Sequence, residues 1–167
     1  MELPFAVFEA EVTETMLSAT GSDGVVFRFS ATGKNPVDVA KCASGGEMSR
    51  IMLSLKAMMA RYTAMPTMIF DEIDTGVSGS IAEKMALIMK EMGQSDRQVI
   101  SITHLPQIAA QGHTHYKVYK EDTDDATNSH IRQLTKEERI NEIAVMLSGS
   151  TLTEAALNNA KVLLNNL

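Results

Sequence analysis

The 167 residues include no tryptophan, a single cysteine and only 5% aromatic side chains. One thiol, Cys42, closes no internal disulfide and builds no multi-cysteine zinc site, which fits a reducing compartment. Basic residues are also in short supply, 15 Lys and Arg against 21 Asp and Glu, for a formal net charge of −6. Duplex DNA is held by clustered Lys and Arg facing phosphates, so this balance excludes a broad basic binding surface and leaves only local contact. No apolar run approaches the roughly 20 residues that cross a bilayer, and the start of the chain, with Glu2 and Pro4, lacks the basic-then-apolar pattern of a signal peptide. The expectation is a cytoplasmic chain without a membrane partner. What is present, 44% hydrophobic and 22% charged residues, suffices for one core, and no repeat, linker or low-complexity tract divides it, so residues 1–167 read as a single domain. Twelve methionines supply flexible core filling in place of the scarce aromatics.

The chain is organised around Ala43-Ser44-Gly45-Gly46-Glu47, which runs straight into an apolar-periodic stretch from Met48 to Tyr62. Ser44 and Glu47 have capping-box spacing, which needs no ligand. A cap does not require two glycines, however. Gly45 and Gly46 at a helix start let a ligand approach unpaired N–H groups and the positive end of the helix dipole, the makings of an anion site. A P-loop is absent: at Gly33-Lys34 the pattern G-x-x-x-x-G-K-[ST] has Arg28 for its first glycine and Asn35 for its hydroxyl residue.

Along the chain, Phe5 to Val12 reads as a strand with a turn ending around Gly21 to Gly24, and Val25, Phe27 and Phe29 mark a second strand antiparallel to it. Ile51, Met52, Leu55, Met58, Met59 and Tyr62 predict one buried stripe on a helix that Pro66 ends. Thr67 to Phe70, closed by Asp71-Glu72, predicts a strand buried on both faces with two carboxylates at its carboxyl end. Ser80 and Glu83 have the spacing to cap a helix whose inner side is Ile81, Met85, Ile88, Met89 and Met92. Gln98 to Thr103 is a further strand, His104 lies just past it, and Pro106 starts a brief helix through Gln111. His115–Lys120 and His130–Leu134 read as strands joined by an acidic turn, Glu121 to Ser129, and His113 and His115 as surface residues. Thr135 and Glu138 cap a helix that Gly149 stops, with Ile140, Ile143, Ala144 and Leu147 inside, and a last helix runs from about Thr153 to Asn165. Strands alternating with helices make this an α/β chain with a mostly parallel central sheet and antiparallel strands at the periphery.

Asp71 and Glu72 suit phosphoryl chemistry, the first near a Mg²⁺-bound water and the second orienting or deprotonating the attacking water. They also fit a solvated loop pair, and Asp71-Glu72-Ile73-Asp74 looks like the D-E-x-D box of helicases. His104 taken alone fits a structural histidine. Ligands of open α/β sheets sit outside the carboxyl ends of the strands, and two candidate strands bring Asp71, Glu72 and His104 to that edge.

The three stretches Ala43 to Arg50, Ile69 to Gly79 and Ile102 to Ala109 resemble the signature, Walker B and switch-histidine segments of ABC/SMC-type ATPase heads, in the form seen in the RecN family of bacterial DNA repair proteins. The resemblance runs the length of the chain and implies the carboxyl-terminal lobe of a split head, with the amino-terminal P-loop lobe and the coiled coil supplied elsewhere. It implies ATP and Mg²⁺ in a complete head dimer. Asp71 would help hold the metal, Glu72 would be the catalytic carboxylate and His104 would meet the γ-phosphate. Ser44, Gly45, Gly46 and Glu47 would act on nucleotide held by the second head of a homodimer, and Asp74 to Ser78 would form the loop linking the two sites. DNA would be engaged through the full-length protein, at the bacterial nucleoid, in double-strand-break repair and recombination. Ala43 replaces the leucine usual in ABC signatures, and Ser78 the aspartate usual in the following loop. Two other readings are a non-catalytic module that keeps an ABC-like shape for docking, and metal-dependent hydrolysis by Asp71, Asp74 and His104, which leaves the double glycine unexplained.

Overall fold

In the computed structural model of the chain, residues 4–41, 45–63, 65–94, 97–122, 127–149 and 151–165 are described. Strands β1 (Val7–Ser18) and β2 (Gly21–Ser30) form the expected antiparallel hairpin. Phe8 opposes Phe29, Ala10 opposes Phe27 and Val12 opposes Val25. Directly opposed residues share a face, so one side of the hairpin is an apolar stripe while Glu11 and Arg28 pair on the other at 2.6 Å. The chain reverses earlier than the sequence suggests. Gly21, with φ 108°, supplies the left-handed conformation, and Gly24 lies inside β2. A two-residue strand that the sequence reading misses, β3 (Val37–Asp38), pairs with β2, and a single 3-10 turn, Val39–Lys41, follows it.

Helix α1 (Gly45–Tyr62) buries Leu53 and Ala60, with Ala57 partly covered; of the expected stripe, Ile51 is buried and Leu55 half-buried, but its methionines are not. Met58, Met59 and Tyr62 are open, Tyr62 to 84%. Both stripes satisfy helical periodicity, and the small Ala57 and Ala60 let the helix approach its neighbours closely, which the bulkier face would prevent.

Strands β4 (Thr67–Asp71) and β5 (Gln98–Ile102) run parallel in register, Met68 beside Val99 and Phe70 beside Ser101. The expected burial of β4 on both faces does not hold. Met68 and Phe70 join Leu53 of α1 and Met85 and Met89 of helix α2 (Gly79–Gly93) in the main core, whereas Ile69 and Ile100 stay exposed on the other face. Helices cover one side of the pair, and Ile69 and Ile100 on the other are 56% and 41% exposed. Helix α2 begins at Gly79 with Ser78 at the N-cap, so the expected Ser80–Glu83 cap is not the start of this helix. The Ser44–Glu47 capping box cannot be compared, because Ser44 and the Glu47 side chain lie outside the described residues.

Helix α3 (Pro106–Gln111) carries Pro106 in its first turn, as expected. Strands β6 (Tyr116–Asp122) and β7 (Thr127–Gln133) form an antiparallel hairpin that takes in Glu121, Asp122, Asn128 and Ser129 from the expected turn. In helix α4 (Lys136–Ser148) both halves of the Thr135–Glu138 capping box are made, at 3.3 and 2.9 Å, and Gly149 closes the helix with φ 77°. Helix α5 (Glu154–Asn165) starts beside Thr153, whose Oγ1 accepts from the Ala156 N–H at 3.2 Å. Ala110, Ile143, Ala144, Ala156 and Ala160 form a second core of small residues between α3, α4 and α5. The Arg139 guanidinium donates to the Ala110 and Gly112 carbonyls where α3 ends, satisfying acceptors that a short helix leaves open.

His115 is half-buried, contrary to its reading as a surface residue, because the β6–β7 hairpin folds back toward α4 and Arg139. Its Nδ1 is buried without a hydrogen-bond partner. Desolvation holds its pKa below the ordinary histidine value. Arg139 and Lys117 act in the same direction, and Glu142 opposes them. Above about pH 6.5 folded and unfolded chains both carry neutral His115. On acidification the unfolded chain takes up the proton first, so stability present above that pH is lost as pH falls through the lower folded value. The melting temperature is therefore expected to fall as the pH drops below about 6.5, and the His115→Gln chain to show a flatter profile there.

Candidate functional site

The ladder of β4 and β5 extends one residue beyond Asp71, through the Glu72 N–H donating to the Ile102 carbonyl at 3.1 Å. Glu72 itself has φ 46°, a left-handed conformation that costs a non-glycine residue on the order of 1 kcal/mol or more. The turn that follows is well bonded. The Glu72 carbonyl accepts from the Thr75 N–H at 3.3 Å and its hydroxyl at 2.9 Å, and the Asp74 carbonyl accepts from the Val77 N–H at 3.0 Å. Val77 inserts into the main core, and Gly76 takes φ 74°. Asp71 and Glu72 thus emerge exposed at the carboxyl end of β4, with His104 two residues past the end of β5, its side chain 67% exposed. That is the edge where the strand-end rule places them.

Asp74 behaves differently. Its carboxylate is buried, 1% exposed, and Oδ2 accepts a short hydrogen bond from the Thr103 hydroxyl. His104 Nδ1 lies 3.8 Å from the same oxygen. Thr103, which the sequence reading passed over, therefore joins the loop after β4 to the end of β5. Gly46 is seated against that loop as well, since a Cβ there would stand 2.7 Å from the Gly76 carbonyl oxygen. This close approach gives the second glycine a packing reason that neither a cap nor an anion site requires. Its one sequence signal is the glycine at position 76 just after the carboxylates. Ser78 caps α2 without a side-chain bond to the helix. Gly45 opens α1, and Ser44 lies outside the described residues. Among the described residues no group of three His, Cys, Asp or Glu is placed to hold a metal ion, so Asp71, Asp74 and His104 do not form the coordination set that metal-dependent hydrolysis needs. A groove of about 870 Å³ lies elsewhere, between β5 and the β6–β7 hairpin.

No protein-family model matches the chain. It is 40% identical over 166 residues to the DNA repair protein RecN of Rickettsia conorii, covering 99% of this chain and 30% of the relative. It is 45% identical over 148 residues to RecN of Deinococcus radiodurans, covering 88% of this chain and 26% of the relative. The chain corresponds to the carboxyl-terminal part of RecN. It spans less than a third of the length of these RecN relatives. A solved Smc head domain with a coiled coil and joint, from Pyrococcus yayanosii, superposes with a TM-score of 0.64 at 19% identity, covering 89% of this chain and 27% of that one. The RecN-related chain therefore has the fold of the matching part of an Smc head domain.

Proposed function

We propose that the chain is the carboxyl-terminal lobe of a RecN-like ATPase head, which completes its nucleotide site with a P-loop lobe and a second head. The observation that carries this reading is the meeting, at one sheet edge, of Asp71 and Glu72 from β4 with His104 from β5, beside an α1 start packed on the intervening loop. ATP with Mg²⁺ would bring the phosphoanhydride bond and the divalent charge. The residues present fit that group. Asp71 offers an open carboxylate, the oxygen donor that Mg²⁺ or its bound waters take. Glu72, aimed by its left-handed backbone, is the base for the attacking water, and His104 is the open imidazole for a phosphoryl oxygen. Ser44, Gly45, Gly46 and Glu47 would face nucleotide on the opposing head, together with the exposed Ser78. The inward turn of Asp74 leaves its part in that contact to the loop's backbone.

The P-loop lobe has a seat. Among the described residues β5 has a strand partner on one side only, and its other side borders the 870 Å³ groove, walled by Tyr116, Val118 and Ile131. An open strand edge beside apolar side chains suits a strand donated by the amino-terminal lobe, which would also cover Ile69 and Ile100. In this reading the head serves DNA double-strand-break repair in the bacterial cytoplasm, with DNA held by the full-length protein, since this lobe carries a net charge of −6. Mixing the chain with the amino-terminal P-loop lobe of the same protein tests the proposal. ATP hydrolysis should appear in the mixture and in neither lobe alone. A tight complex with no hydrolysis would instead make the chain a non-catalytic interaction module.

A further inference from the structure

Among the described residues Asp74 is the one charged side chain that is buried. Its hydrogen bonding has a direction. The Leu105 N–H donates to Thr103 Oγ1 at 3.0 Å, so the hydroxyl's own proton is the one offered to Asp74 Oδ2. The other carboxylate oxygen, Oδ1, is buried with no hydrogen-bond partner, an arrangement that costs free energy and favours any N–H able to reach it. The ring nitrogen at hand is Nδ1 of His104, 3.8 Å from Oδ2, on a side chain exposed enough to turn without disturbing the core.

We propose that Asp74 is a positioning residue for His104, accepting its Nδ1–H and so setting both the ring's orientation and its tautomer. Which imidazole nitrogen carries the proton is decided by the hydrogen bond the other one leaves available. With Nδ1–H committed to Asp74, Nε2 faces outward, an acceptor when the ring is neutral and a donor when it is protonated. Thr103 holds the carboxylate in place for this, which makes the Leu105–Thr103–Asp74–His104 chain one unit joining the loop after β4 to the end of β5. That His104 then meets a phosphate rests on the ATPase reading proposed above. The link from Asp74 to His104 does not.

The test is ring-nitrogen NMR of the 167-residue chain at about pH 8.5, where histidines are neutral. The wild-type chain should show His104 with its proton on Nδ1, against the Nε2–H form that an unconstrained imidazole favours. In Asp74→Asn the negative charge that favours an Nδ1–H partner is lost, and His104 should shift toward the Nε2–H form, the wrong-tautomer effect known for buried carboxylate–histidine pairs. Thr103→Val should weaken the preference and Thr103→Ser restore it. An Nε2–H ring in the wild-type chain overturns the proposal, with no need for any variant to fold. In the two-lobe mixture Asp74→Asn should lower kcat about 10-fold or more with KM little changed, as expected for partners that orient a reactive ligand. If the tautomer switches but the mixture never hydrolyses ATP, the Asp74–His104 link stands and the ATPase reading fails.

Discussion

Glu72→Gln is expected to lower ATP turnover by the rejoined lobes at least about 100-fold, the scale of losing a positioned general base. Nucleotide affinity should stay within about twofold, because the change removes an interaction made in the transition state and not in the bound ground state. Gln is the informative substitution at this position. It keeps the length of the side chain and the left-handed backbone at φ 46°, so the turn bonded to the Glu72 carbonyl is retained and the melting temperature should not move. Unchanged hydrolysis in the variant would remove Glu72 from the mechanism. Glu72→Gly makes a useful companion, since it relieves the backbone cost while deleting the carboxylate. It should be as inactive as Gln but no less stable, the pattern of a residue kept for chemistry at the expense of its local conformation.

Gly46→Ala should destabilise the chain, although alanine favours a helix over glycine by about 1 kcal/mol. The added methyl would lie 2.7 Å from the Gly76 carbonyl oxygen. That neighbour is backbone, in a loop anchored by Val77 in the core and Asp74 on Thr103, so relief requires moving either the start of α1 or the whole turn. Forcing a group into a packed site costs typically 1–3 kcal/mol, which outweighs the gain in propensity. A fall of several degrees in melting temperature is expected at roughly 2–4 °C per kcal/mol for a chain of this size. Serine at position 46 should do no better. A stabilised Gly46→Ala chain would mean that the helix start and the loop are not in contact, and the coupling of these two segments would have to be abandoned.

The apolar periods, the capping box at Thr135, the proline that starts α3 and the glycine that ends α4 are local devices, and each was legible because it depends on residues within one turn of one another. The order of Ser44 to Glu47, Asp71-Glu72 and His104 was legible for a different reason. Chemistry at strand and helix ends needs particular residue types there, and the chain states them in sequence. Which of two helical stripes α1 buries was not, because Met58 and Met59 have the same period as Ala57 and Ala60, and only the closeness of β4 and α2 selects the smaller pair. The single covered face of β4 was equally hidden, since an apolar run looks the same whether its second cover is present in the chain or not. Asp74 reads as a loop carboxylate until Thr103, 29 residues away, is found to hold it inward. Gly46 reads as a ligand site, and only the fold shows that the Gly76 carbonyl also stands where its Cβ would be. The sequence by itself thus determined the fold class and the residue types offered at the candidate site. Tertiary structure alone decided which of those groups face solvent and which face one another, because burial and contact between distant segments depend on packing that no local pattern encodes.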